Sequence, residues 1–323
     1  MSTTPDDKAV DLPTMFDPET CTRKGLFPVS SLRNKDDPLE SHSLYWEQHG
    51  SGPEKIFFVM GMNSSSFAWR WQVEHFGRDP RYSVVVFDNR GVGHSGTPRG
   101  PYTTAGMAED AIALLNYIGW TEERSIHVVG TSLGGMISQH LALRIPERMI
   151  SLTLAVTTAG GHWWGNFPPW AGIVGLTRAT FTADPVKKIP IVLDLVFPPD
   201  WLAANRDWVL EDYHARVRIT PPQRPMGAFS QMFAGLTHHV RPEQLRAIAR
   251  SVPKVLILTG DEDNLVRPKC SLYLKSQMPE AELVQWEHTG HGIHVQWRER
   301  FNELAERVFE EGRQQLAKGF NPE

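Results

Sequence analysis

Cysteine is scarce: Cys21 and Cys270 are the only two in 323 residues. Two thiols so far apart form no disulfide framework and no zinc-ligand spacing, which predicts reduced thiols in a cytoplasmic protein. Long apolar runs are missing too. No segment approaches the ~18–20 uninterrupted apolar residues that a transmembrane helix requires. Met1 to Thr20 is polar and carries five acidic residues, unlike a secretory signal. Neither sign of charge dominates: 33 Lys and Arg against 37 Asp and Glu give a formal net charge of −4, with no basis for a nucleic-acid partner. His238-His239 and the trio His288, His291 and His294 lack an H-E-x-x-H setting, so no metal and no cofactor are expected.

What is present is a soluble globular composition, 41% hydrophobic and 22% charged, long enough for one large core with an insertion. Residues 1–40, with scattered Pro and charge, read as an irregular N-terminal arm. Beyond it, short apolar runs at 43–48, 55–60, 82–87, 125–129, 151–156, 254–258 and 282–286 predict strands. Helical spacing at 104–118, 135–144 and about 297–318 falls between and after them. Buried strands alternating with helices imply an α/β fold: a mostly parallel sheet with helices on both faces. The alternation breaks between 157 and 243, a stretch rich in Pro and Trp with helices expected near 186–196 and 203–217. This segment is expected to be an inserted cap, leaving 41–156 and 244–323 as the core.

The sharpest motif is Gly130-Thr131-Ser132-Leu133-Gly134-Gly135, directly after the apolar run Ser125 to Val129. It fits G-x-S-x-G, which puts a serine on a strained turn between strand and helix and requires small residues two places to either side. The helix N-terminus behind it points backbone N–H groups at any anion formed there. A serine hydroxyl is a poor nucleophile until a base removes its proton, and that base needs an orienting carboxylate. Asp261 and Asp263, after the run 256–258, are the candidate acids. His288, His291 and His294 are the candidate bases.

From residue 43 onward the chain resembles the α/β-hydrolase superfamily. The likeness rests on Val59-Met60-Gly61-Met62, Asp88-Asn89-Arg90-Gly91-Val92-Gly93-His94-Ser95, the serine motif, and Gly260…Asp263 with Gly290-His291-Gly292. The resemblance implies an eight-stranded-type sheet with a helical cap after the sixth strand. It also implies Ser132 as nucleophile, His291 as base and Asp263 as acid. Asp261 is then a solvated loop charge, and His288 and His294 are surface or supporting residues. The backbone N–H groups of Leu133 and Met62 would form the oxyanion hole. Where the family usually has His-Gly this chain has Met60-Gly61, so any hydrogen bond from that histidine is lost. Asp88-Asn89-Arg90-Gly91 is a structural turn in the family and receives no chemistry.

Serine at the elbow excludes the aspartate-nucleophile relatives, the haloalkane dehalogenases and epoxide hydrolases. It implies an acyl-enzyme with a small-molecule carboxylic ester as the default substrate. Lactone, thioester, carbon–carbon and aminopeptidase-type hydrolysis remain open on the same triad, as does a ligand-receptor role. Trp163, Trp164, Phe167 and Trp170, at the entry of the cap, suggest a hydrophobic acyl or aromatic group.

Overall fold

Consecutive side chains of the central apolar runs are buried on opposite faces of one sheet. Phe57, Val59, Val85 and Phe87 join one hydrophobic cluster, while Ile56, Phe58, Val84 and Val86 join another. Strands buried on both sides read as continuous apolar runs because helices cover both faces. The computed structural model describes residues 12–31, 40–161 and 167–322. Eight strands, β1 (Cys21–Ser31), β2 (Glu40–His49), β3 (Glu54–Val59), β4 (Tyr82–Phe87), β5 (Ile126–Thr131), β6 (Met149–Ala155), β7 (Lys254–Gly260) and β8 (Glu282–Trp286), form one sheet in the order β1-β2-β4-β3-β5-β6-β7-β8. The ladders on both sides of β2 are antiparallel and those from β4 to β8 are parallel.

The helices are α1 (Arg70–Gly77), α2 (Thr104–Ile118), α3 (Leu133–Arg144), α4 (Trp170–Phe181), α5 (Pro185–Val196), α6 (Pro199–Ile219), α7 (Pro225–Leu236), α8 (Pro242–Ser251), α9 (Pro268–Gln277), α10 (Ile293–Gln296) and α11 (Arg298–Ala317). Leu114 of α2, Ile137 and Leu141 of α3, Leu245 and Ile248 of α8 and Leu274 of α9 pack on the first face. Val73 and Phe76 of α1 and Phe301, Val308 and Phe309 of α11 pack on the other. Five described helices, α4 to α8, lie between β6 and β7, and the first four make up an insertion. Ile189, Leu193, Phe197, Leu202 and Val209 give this insertion a small core of its own, closed by Val295 of α10. None of the described helices is long and apolar enough to cross a membrane.

The expected irregular arm over 1–40 needs correction, because residues 21–31 form β1. Gly25 and Pro28 interrupt its apolar pattern, which hid the strand. At a sheet edge such a proline is tolerated, since one side of the strand makes no ladder bonds; among the described strands β1 pairs with β2 alone.

A charge cluster fastens β8, the far edge. Arg307 of α11 reaches Glu282 Oε1 at 2.6 Å, and Lys254 of β7 reaches Oε2 at 2.7 Å. The Arg307 hydrogen bond, helped by Lys254, lowers the Glu282 carboxyl from 4.5 to about 2. Its folded-state pKa lies below the unfolded one, so the contribution is complete above pH 4.5 and disappears as pH falls toward 2. Chemical denaturation of wild type and Glu282→Gln should show a stability gap at pH 6 that closes by pH 2. Added salt should narrow it, because the group is partly exposed.

Candidate active site

Every residue singled out at the serine turn falls at the carboxyl edge of the parallel strands. Ser132, between β5 and α3, has φ 55° and ψ −121°. A non-glycine residue held there stores on the order of 1–3 kcal/mol of backbone strain, which the surroundings must offset. They do so through hydrogen bonds and close packing. Ser132 N donates to Ala155 O at 2.9 Å, and Thr157 Oγ1 donates to Ser132 O at 2.7 Å. A Cβ on Gly134 would overlap the carbonyl oxygen of Val59, and one on Gly130 would overlap Ser138 Oγ. Both glycines of the pattern are therefore required by close backbone approach.

The same packing sets the Gly61-Met62 loop beside the serine: a Cβ on Gly61 would stand 3.1 Å from Ser132 Cβ. Leu133 opens α3, where the first N–H groups have no intrahelical acceptor. Neither the Leu133 nor the Met62 amide has an acceptor among the described residues. The loop lacks the family's histidine but is held in other ways. Asn89 Nδ2 donates to Met60 O at 2.9 Å, and Asn63 N donates to Gln231 Oε1 at 2.7 Å. Gln231, fully buried in α7, also donates to Arg90 O at 2.8 Å. Asp88 serves the turn as expected, accepting from the amides of Ser66 at 2.6 Å and His94 at 2.8 Å.

At the other end of the edge, His291 Nδ1 lies 2.8 Å from Asp263 Oδ2, with both residues buried. Asp263 Oδ1 accepts from the amides of Leu265 (2.7 Å) and Val266 (2.9 Å), which fix the carboxylate. With Nδ1 engaged by the carboxylate, Nε2 is the His291 nitrogen left to exchange a proton. Asp261 is exposed, but it is more than a solvated charge: its Oδ1 accepts from Thr289 N at 3.1 Å in the histidine loop. His288 is exposed and lies 3.2 Å from Glu262. His294 is buried against the Trp69 ring, and burial pushes its imidazole down to about 3.

The insertion touches each of these loops. A Cβ on Gly172 of α4 would overlap Asn264 O, next to Asp263. The α5–α6 connection lies against the histidine loop, with Gly292 N donating to Val196 O at 2.8 Å. A Cβ on Gly290 would meet that oxygen at 2.6 Å, and one on Gly292 would meet the Phe197 ring at 2.6 Å. Gly235 of α7 faces Met62 and Leu133. Phe167 and Trp170 precede and open α4 with exposures of 37% and 76%, while Trp163 and Trp164 lie outside the described residues.

This arrangement matches a family model described as the alpha/beta hydrolase fold over residues 56–296. The chain belongs to that family. A Caulobacter segnis protein, RutD, whose name assigns it carbamate hydrolysis, is 28% identical over 267 residues, covering 80% of this chain and 94% of its own. A poly(3-hydroxyalkanoate) depolymerase from Ectopseudomonas oleovorans is 31% identical over 207 residues, 64% of this chain and 67% of the relative. Among solved structures, a thermophilic esterase from Thermogutta terrifontis superposes with a TM-score of 0.71 at 21% identity, covering 90% of this chain and 99% of that one. This α/β hydrolase is accordingly a hydrolase, one of whose relatives bears a name the residue pattern did not anticipate.

The supporting residues Thr157, Asn89, Gln231 and Phe197 escape sequence reasoning. Each acts through a contact between segments far apart in the chain; Asn89 alone lies in a motif the sequence marks, the Asp88 to Gly91 turn, and its bond to Met60 O is not visible there. Gly134→Ala would force β3 and α3 apart. It should lower stability by about 1–3 kcal/mol in chemical denaturation, the usual cost of overpacking.

Proposed function

We propose that this α/β hydrolase is a serine hydrolase that cleaves carboxylic esters with a hydrophobic acyl or aromatic group through an acyl-enzyme. Ser132 is the nucleophile, His291 the general base and Asp263 the orienting acid. The 157–243 segment is the cap over them. The observation that carries this reading is the left-handed Ser132 turn at the same sheet edge as the buried 2.8 Å His291–Asp263 pair.

In this scheme Ser132 Oγ attacks the carbonyl carbon while its proton passes to His291 Nε2. The carbonyl oxygen becomes an oxyanion, which the Met62 and Leu133 N–H groups stabilise; losing one such donor typically costs about 3 kcal/mol. Collapse of the tetrahedral species expels the alcohol, which takes the proton from His291. Water, deprotonated by the same imidazole, then releases the acid and restores Ser132. The Asp263 carboxylate keeps the imidazole in the tautomer with the proton on Nδ1 and stabilises the imidazolium.

A second reading, carbamate hydrolysis, is favoured by the relative named for it. A carbamate carbonyl passes through the same tetrahedral oxyanion, with the leaving group or the acyl portion carrying nitrogen. No residue of the described site separates the two bonds.

Hydrolysis of p-nitrophenyl esters of increasing acyl length, run beside Ser132→Ala, is the direct test. Activity with an optimum at medium or long chains, lost in the variant, supports the ester reading. Ester activity that survives Ser132→Ala refutes the nucleophile. Inertness toward every ester, with turnover of aryl carbamates, transfers the conclusion to the second reading.

Asp263→Asn should lower kcat by about 10⁴-fold, as loss of the orienting carboxylate does in a Ser-His-Asp triad. Asp261→Asn should stay within a few-fold of wild type. The reverse order would exchange the two acids.

A further inference from the structure

At the opposite edge of the sheet from Ser132, three donor atoms from β1 and β2 converge. Cys21 is paired with His49 across the ladder, and Glu47 lies two residues before His49. Glu47 Oε2 is 3.5 Å from His49 Nε2 and 3.8 Å from Cys21 Sγ, and the donor atoms of all three residues fall within 4.8 Å of one another. His49 pairs with Val84 near the start of β4, whereas Ser132 follows the end of β5. The cluster is therefore separate from the hydrolytic site.

The protons in this cluster can be counted. Thr20 Oγ1 donates to Asp17 O at 2.9 Å and, with its hydrogen so placed, accepts from His49 Nδ1 at 2.8 Å. That places a proton on Nδ1 and leaves Nε2 of the neutral ring with a bare lone pair. Nε2 is fully buried, has no hydrogen-bond partner, and faces a carboxylate oxygen. On the carboxylate, Oε1 already accepts from Thr14 Oγ1 at 2.6 Å and from the Tyr45 hydroxyl. Oε2 is thus left to face Nε2, with only the weak Cys21 thiol donor at 3.8 Å directed at it. Two lone pairs directed at each other in a dry site repel unless something positive lies between them.

We propose that Cys21, Glu47 and His49 bind a zinc-class divalent cation through Sγ, Oε2 and Nε2. Zinc bonds of ~2.0–2.3 Å in a tetrahedron set ligand atoms roughly 3.3–3.7 Å apart, close to the two separations involving Oε2. The set of one thiolate, one imidazole and one carboxylate suits a borderline-soft metal and not magnesium or calcium. The outer contacts fit as well. A metal-bound histidine normally donates its second N–H, as His49 does to Thr20, and a ligating carboxylate is itself hydrogen-bonded, as Glu47 is by Thr14 and Tyr45. Binding displaces one proton, from the Cys21 thiol, and leaves a thiolate on the metal. The cation would fasten β1 to β2 at the edge of the sheet and would take no part in hydrolysis.

Cobalt(II) titration of the metal-stripped full chain tests this. The expected result is saturation at one equivalent, with a thiolate-to-cobalt charge-transfer band in the near ultraviolet and the intense visible bands of a tetrahedral site. Zinc should displace the cobalt and abolish both. The band should disappear in Cys21→Ser and persist in Cys270→Ser. Should Cys21→Ser fail to fold, Cys270→Ser still decides, because it leaves Cys21 as the sole thiol. Absence of saturable cobalt binding overturns the site. A charge-transfer band that survives Cys21→Ser, or is lost in Cys270→Ser, overturns it equally. Ester hydrolysis by Cys270→Ser with and without zinc should be equal, so this outcome is independent of the one that tests the nucleophile.

Discussion

One strained residue organises the molecule. Ser132 is held with φ 55° between β5 and α3, and the strand and helix hold it there by approaching so closely that only hydrogen fits at Gly134 beneath Val59. The strain is affordable because it is spread over a sheet already fixed by burial on both faces. Ala155 O, at the end of β6, and Thr157 Oγ1, two residues past it, lock the backbone of the turn from the next strand. The Gly61-Met62 loop is then brought to the serine by the same contact that excludes a side chain at Gly134. Turn, helix start and neighbouring loop form one packing unit.

The insertion extends this unit. Its helices rest on the acid loop at Asn264, on the histidine loop at Gly290 and Gly292, and on the Met62 loop through Gln231 and Gly235. These close contacts and buried hydrogen bonds let the insertion help position the loops. Gln231 illustrates this: one side chain satisfies Asn63 N and Arg90 O, tying two loops that follow different strands. The apolar positions Trp170, Val174 and Phe181 of α4 remain exposed, which sets that helix apart from the buried side of α5.

Much of this was legible in the chain itself, and the reasons are physical. The central strands announce themselves because burial on both faces demands unbroken apolar runs. The elbow is legible because its geometry tolerates few residues. The α5 and α6 helices were placed within a few residues by Pro-bounded apolar spacing, while α4 and α7 were not singled out, since glycines and exposed aromatics blur their faces. β1 was missed because Pro28 and Gly25 are admissible only at an edge, and being an edge is a tertiary property. Asp263 could be preferred to Asp261 through family likeness. Its two backbone amide donors and its bond to His291 are visible only once the loops are folded. The Cys21, Glu47 and His49 cluster was invisible because its members meet across a ladder.

The position of the insertion in the chain orders the assembly of the site. β7 pairs with β6, Ser151 opposite Lys254, only after the whole of α4 to α8 has been made. During synthesis the elbow and the Met62 loop emerge with the first six strands, whereas Asp263 and His291 follow on the last two. Until then β6 presents an unpaired hydrogen-bonding edge of buried-type residues, the kind of surface that pairs readily with another chain. Closing so long a connection is entropically slow. The nascent protein therefore holds the strained Ser132 turn without the His291–Asp263 pair, and in that interval β6 is open to pairing with another chain.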